Sequence, residues 1–238
     1  MIPAVFHAAI YNPLYNGLIF LIDVVPLHDV GVAVVLLTVV VRIMLLPLSR
    51  RAIETQLAMK RIAPEIEKLK EQYKNNREEQ GKAMFALYRE RGVHPFASVG
   101  LLLVQLPILF ALYWIFTSGG LPEIRPQLLY PFIPTPAGLT MEFLGILNMA
   151  GHNIVLGVLA AASQFAYTRL SMGPRENKPA AGGSLSADFA RSMDLQGRYL
   201  FPAMFLGLWY VIPNAAMLYI VTSNIFMIGQ ELFAGRRF

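Results

Sequence analysis

In this chain of 238 residues, 55% are hydrophobic and only 15% charged, and the mean hydropathy is +0.50. An average soluble domain carries about 25% charged residues, so the composition reads as an integral membrane protein. The net charge of +5 excludes little by itself, but the absence of cysteine excludes disulfides, thiol catalysis and thiolate-held metals.

No Lys or Arg precedes the first apolar region, so a cleavable signal peptide of the usual kind is not expected. Segment 3–27 is apolar but interrupted by His7, Asn12, Pro13, Asn16 and Asp23. Residues 1–28 are therefore predicted to form an external amphipathic helix lying in the membrane interface. Residues 29–238 are predicted to hold five membrane spans.

The first span, about 30–49, is opened by His28 and Asp29 and closed by Arg50 and Arg51. It carries Arg42, eight residues before Arg50, or about 12 Å along a helix at 1.5 Å per residue. Helical side chains lean toward the N-terminus, so Arg42 leans away from the nearer surface. A charge at that depth costs roughly 2.5–3.5 kcal/mol on insertion scales. Thr38 lies one turn earlier on the same face.

In the segment 52–93 that follows, Ile66, Leu69 and Tyr73, then Met84, Leu87 and Tyr88, fall at helical spacing. Pro64 suits the first turn of a new helix. A charged helical hairpin is predicted, its helices at about 64–75 and 78–91, with a bend at Asn75-Asn76 and a loose start near Gly81.

The second span, about 96–116, is interrupted by Gln105 just before Pro107. The Pro-rich stretch 122–136 reads as an external loop. The third span, about 153–172, is polar on one side through Ser163, Gln164 and Thr168. Residues 172–189, rich in Gly, Pro, Ala and Ser, read as a flexible linker. The fourth and fifth spans, about 199–212 and 215–233, are joined by Pro213-Asn214, a tight turn. Both are short, which calls for tilting or local thinning. Tyr219, Thr222, Ser223 and Gln230 fall near one face of the fifth span, with Asn224 beside them.

Twenty Lys and Arg residues set the orientation. None precedes Arg42. Eleven fall between Arg50 and Arg91, Arg125 stands alone between spans two and three, and five lie from Arg169 to Arg198; Arg236 and Arg237 complete the set. The positive-inside rule then puts the N-terminus outside and the C-terminus in the cytoplasm, together with loops 50–95 and 170–198. Five spans fit this parity and six do not.

Acidic residues are nearly absent from the spans: Glu231 sits close to the cytoplasmic end of the fifth, and Glu142 precedes the third. An intramembrane arginine surrounded by neutral polar residues suggests a wet cavity, a functional site by default. His7, His28, His94 and His152 are scattered without metal-ligand spacing. No phosphate loop, nucleophile elbow or carboxylate pair occurs. Neither enzyme activity, a cofactor nor a metal is expected.

Four motifs occur in order: "TVVVRIMLLPLSRR", "PEIEKLKEQY", "LLLVQLPILFALYWIF" and "LFPAMFLGLWYVIPNAAMLYIVTSNIF". Together they resemble the YidC/Oxa/Alb membrane protein insertases over nearly the whole chain from about residue 10. The resemblance implies a five-span core enclosing a hydrophilic groove, closed to the outside and open to cytoplasm and lipid. In that groove Arg42 matches the family's arginine and Thr38 its threonine one turn earlier. Gln105 and Pro107 match the second-span motif, and Trp209 the fourth-span tryptophan. Tyr219, Ser223 and Asn224 match the fifth-span motif, and Gln164 falls where the third span is polar.

It also implies clients that are nascent membrane proteins, contact with membrane lipids, residence in the bacterial plasma membrane, and the ribosome and the Sec translocase as candidate partners. No specific nucleic-acid sequence is implied. The sequence departs from some members in having no large external domain before the first core span and no lipoprotein cysteine, and in stopping at "AGRRF". Ribosome contact is then expected from the hairpin and the linker at 173–198. A small anion channel or transporter using Arg42 as its anion site is the alternative. It leaves the hairpin without a use, and no inverted repeat links the two halves.

Overall fold

The computed structural model describes residues 4–93, 97–118, 120–173 and 195–235. Most of linker 172–189, together with His94, Arg236 and Arg237, lies outside the described residues. The protein is mostly helical, and it divides into two compact units: Met1–Ile43 with Leu106–Phe238, and Met44–Gln105.

In the first unit, α1 (Ala4–Val24) includes a π-helical stretch at His7–Tyr11. It buries Tyr11, Tyr15, Leu18, Ile19 and Ile22 at helical spacing. Asn16 turns this helix into an anchor. Its amide nitrogen donates to the carbonyls of Asn12 (2.8 Å) and Leu128 (2.9 Å), and its oxygen accepts from the Tyr130 backbone N–H (2.6 Å). The Arg125 backbone N–H donates to the Tyr15 hydroxyl at 2.8 Å. The polar residue that interrupts the apolar run therefore holds the 125–130 loop.

Helix α2 (Val30–Met44) buries Val34, Leu37, Thr38 and Arg42 while exposing Leu36, Val40, Ile43 and Met44. An apolar outer face around polar inner residues is the reverse of a soluble helix and suits contact with lipid. The first span was expected as one helix over 30–49, but it breaks at Leu45, and α3 (Leu46–Gln72) begins there with Pro47 in its first turn. Proline lacks the N–H for the i→i−4 bond, and its ring collides with the carbonyl four residues back. Arg42 therefore sits in the last turn of α2, not within a longer straight helix.

Helix α5 (Ala97–Thr117) contains Pro107 in its interior. A short antiparallel pair, β1 (Glu142–Phe143) and β2 (Leu147–Asn148), turns through Leu144 and Gly145, both at positive φ. Beyond it, α6 (Ile154–Met172) packs against both α7 (Phe201–Leu208) and α8 (Asn214–Phe233). A π-helical turn, Gln196–Leu200, precedes α7. Pro213 and Asn214 do not form the turn by themselves: the chain reverses over 209–213, and Asn214 already begins α8.

Among the described residues, three helices, α1, α6 and α8, are long and apolar enough to cross a membrane, and α2 with α3 supply a fourth if taken as one broken span. Length and apolarity thus admit α1 as a crossing helix as well as the interfacial one expected from its polar residues.

In the second unit α3 leads through a turn at 73–76 to α4 (Arg77–Glu90). Ile62, Ile66, Leu87 and Val93 form a buried cluster, with Met59, Leu69, Met84 and Tyr88 packed against it. The Asn76 side chain accepts from the Glu79 N–H at 3.2 Å and caps α4. Pro64 was expected to start a helix, yet it lies inside α3. The apolar stripe carried by Met59, Ile62, Ile66 and Leu69 runs through it, and its packing outweighs the missing backbone bond.

Candidate functional site

The buried polar side chains of the first unit converge from α2, α6 and α8. Arg42 is 3% exposed and Thr38 1%. Tyr219 of α8 and Tyr167 of α6 are electrostatic neighbours of Arg42. Arg42 lies in the last turn of α2, and α3 begins at Leu46.

The hydroxyls around this cluster mostly direct their protons into their own helices. Thr38 Oγ1 donates to the Val34 carbonyl (2.6 Å), Ser163 Oγ to that of Ala160 (3.0 Å) and Thr168 Oγ1 to that of Gln164 (2.8 Å). What remains on each is an oxygen able to accept. Asn224 Nδ2 of α8 donates to Ser163 Oγ of α6 at 3.1 Å, and Gln164 Nε2 to Thr168 Oγ1 at 3.3 Å. Among the described residues the Ser223 hydroxyl, 1% exposed, has no hydrogen-bond partner. A buried hydroxyl left so costs about 1–3 kcal/mol, unless water or a guest supplies a partner.

Among the sequence-predicted site residues, Arg42, Thr38, Gln164, Tyr219, Ser223 and Asn224 lie on these three helices. Trp209 lies elsewhere: its Cβ packs over Gly157, at the start of α6. Ten residues separate Gly157 from Tyr167, about 15 Å along the helix. Gln105 is half-buried on α5 and belongs to the second unit.

Tyr167 escaped the sequence reading, although a signal was present. It follows Ser163 by four residues and Gln164 by three, which puts it on the same helical face. Glu231, 1% exposed, is the buried acid of α8. Among the described residues no group of three His, Asp or Glu could hold a metal ion.

Residues 21–238 match the family described as 60Kd inner membrane protein. The chain is 32% identical over 203 residues to the membrane protein insertase YidC of Clostridium perfringens, covering 85% of this chain and 76% of that one. It is 30% identical over 226 residues to the YidC of Fusobacterium nucleatum, covering 94% of this chain and 96% of the relative. The YidC of Francisella tularensis subsp. novicida is 28% identical over 208 residues; they make up 87% of this chain but only 33% of that longer protein. The chain belongs to the 60Kd inner membrane protein family, that of the YidC membrane protein insertases.

Proposed function

We propose that the protein inserts client transmembrane segments into the lipid bilayer by receiving the client's polar tail in a hydrophilic groove formed around Arg42. The observation that carries this reading is the burial of Arg42 beside Tyr167 and Tyr219 on helices whose outer faces are apolar. Moving a polar tail through hydrocarbon costs its desolvation. A groove reaching part way from the cytoplasm shortens the dry path, and Arg42 attracts acidic tails where charges are poorly screened. The client's apolar segment leaves sideways into lipid, and no nucleotide or metal takes part.

In this reading the core has five spans, with the N-terminus outside, the C-terminus in the cytoplasm, and 1–28 lying in the outer interface. The hairpin within 52–93 is cytoplasmic and meets the ribosome, the Sec translocase or the emerging client. Trp209, over the start of α6, flanks the groove wall formed by α2, α6 and α8.

Reconstitution into proteoliposomes tests this with two single-span clients differing only in tail acidity. Arg42→Ala should lose most insertion of the acidic-tailed client, at least tenfold. Arg42→Glu should be worse and Arg42→Lys should retain much activity, since the charge survives without the planar fork. The neutral-tailed client should suffer much less. Equal loss for both clients, tracking a fall in melting temperature, would give Arg42 a purely structural role. Anion conductance without insertion would favour the channel.

A further inference from the structure

We infer that Asp29 and Asn214 are positioning residues that fasten residues 140–151 as a strap across the outer ends of α2 and α8, sealing the Arg42 cluster from the outer side. The inference rests on the insertase reading and its orientation, and adds what holds the groove shut.

Helix N-termini leave their first N–H groups without intrahelical partners, and here the strap takes them. On α2, the Val30 N–H donates to the Thr140 carbonyl at 3.0 Å, while the Thr140 N–H returns to the carbonyl of His28 at 3.0 Å. On α8, the Asn214 N–H donates to the Gly151 carbonyl (2.8 Å) and the Ala215 N–H to that of Met149 (3.0 Å). One peptide segment thus caps two helices.

Side chains complete the fastening. The buried Asp29 carboxylate faces two ways: Oδ1 accepts from the Val32 N–H at 2.9 Å, capping α2, and Oδ2 accepts from the Leu144 N–H at 2.7 Å, holding the strap. Asn214 Nδ2 donates to the Asn148 carbonyl at 2.7 Å. Phe143 lies so close to α2 that a Cβ on Gly31 would stand 2.5 Å from its ring. Met149, whose carbonyl accepts from Ala215, has a fully buried side chain.

The double role of Asp29 provides the test. Asparagine caps a helix about as well as aspartate, but it has one acceptor oxygen. Whichever way its amide turns, Asp29→Asn presents an NH2 to one of the two N–H groups. Asn214→Asp puts a carboxylate against the Asn148 carbonyl and breaks the other fastening. Each substitution is combined with a reporter cysteine, Ser223→Cys or, separately, Thr38→Cys, in the cysteine-free chain. Right-side-out vesicles are then treated with a membrane-impermeant anionic methanethiosulfonate.

The expected result is labelling from outside at least tenfold faster in both strap variants than in the parent carrying the same reporter. Unchanged outside labelling at both reporters, even with a lowered melting temperature, overturns the inference and leaves the strap a structural cap. Client insertion by the parent protein is measured in parallel. Its failure would sink the insertase reading while leaving the labelling contrast to stand or fall alone.

Discussion

A Cβ added at Gly157 would lie 2.6 Å from the Cβ of Trp209. That atom is fixed to the backbone and cannot swing aside, so α6 and the segment after α7 would have to separate. Gly157→Ala should therefore cost about 1–3 kcal/mol, the usual range for overpacking. Gly207, exposed on α7, meets nothing within 4 Å, and Gly207→Ala should be neutral or stabilising by up to about 1 kcal/mol. Melting curves of the two variants in detergent decide the matter; equal shifts would mean that the Gly157–Trp209 contact is not specific. Residues of this kind differ in how legible they are from sequence. Arg42 announces itself because no other feature explains a charge in an apolar run. The second acceptor of Asp29 and the loop-holding amide of Asn16 do not, because their partners lie 115 and up to 114 residues away.

Two prolines in neighbouring stretches behave oppositely at the scale of elements. Pro47 follows a break at Leu45, whereas Pro64 is carried inside α3. Sequence pattern could place both as irregularities, but which one breaks the helix depends on what packs beside it. Ile62 and Ile66 flank Pro64 and are held by Leu87 and Val93, while Ile43 and Met44, just before Leu45, are exposed. Restoring the missing N–H with Pro64→Ala should then stabilise the α3–α4 pair, by up to about 3 kcal/mol. Amide hydrogen exchange across 58–90 measures it, and unchanged or weakened protection would mean that α3 needs its proline. The Glu65–Arg91 ion pair, 40% and 48% exposed at its side chains, should matter little beside this.

For the molecule as a whole, the proposed orientation rests on where Lys and Arg fall, a property written along the chain and needing no contacts to read. Single cysteines at exposed Leu27 and Phe132 should label from outside, and one at exposed Lys82 only from inside. Val5, also exposed, is the decisive position for α1. Labelling there from the cytoplasm would make α1 a sixth span and reverse the parity argument. The helical class and the family were legible from composition and ordered motifs. The burial of α1 was not: its polar residues mark an interfacial helix when read alone, and the 125–130 loop, far along the chain, gives Tyr15 and Asn16 their partners outside the helix.

The break at Leu45 has one more consequence. It ends α2 within three residues of Arg42, and Pro47, having no N–H, leaves the Ile43 carbonyl without the donor that a continuous helix would supply. Under the insertase reading that oxygen is a hydrogen-bond acceptor one residue from the arginine, so a client's tail can be met there by an acceptor as well as by a charge.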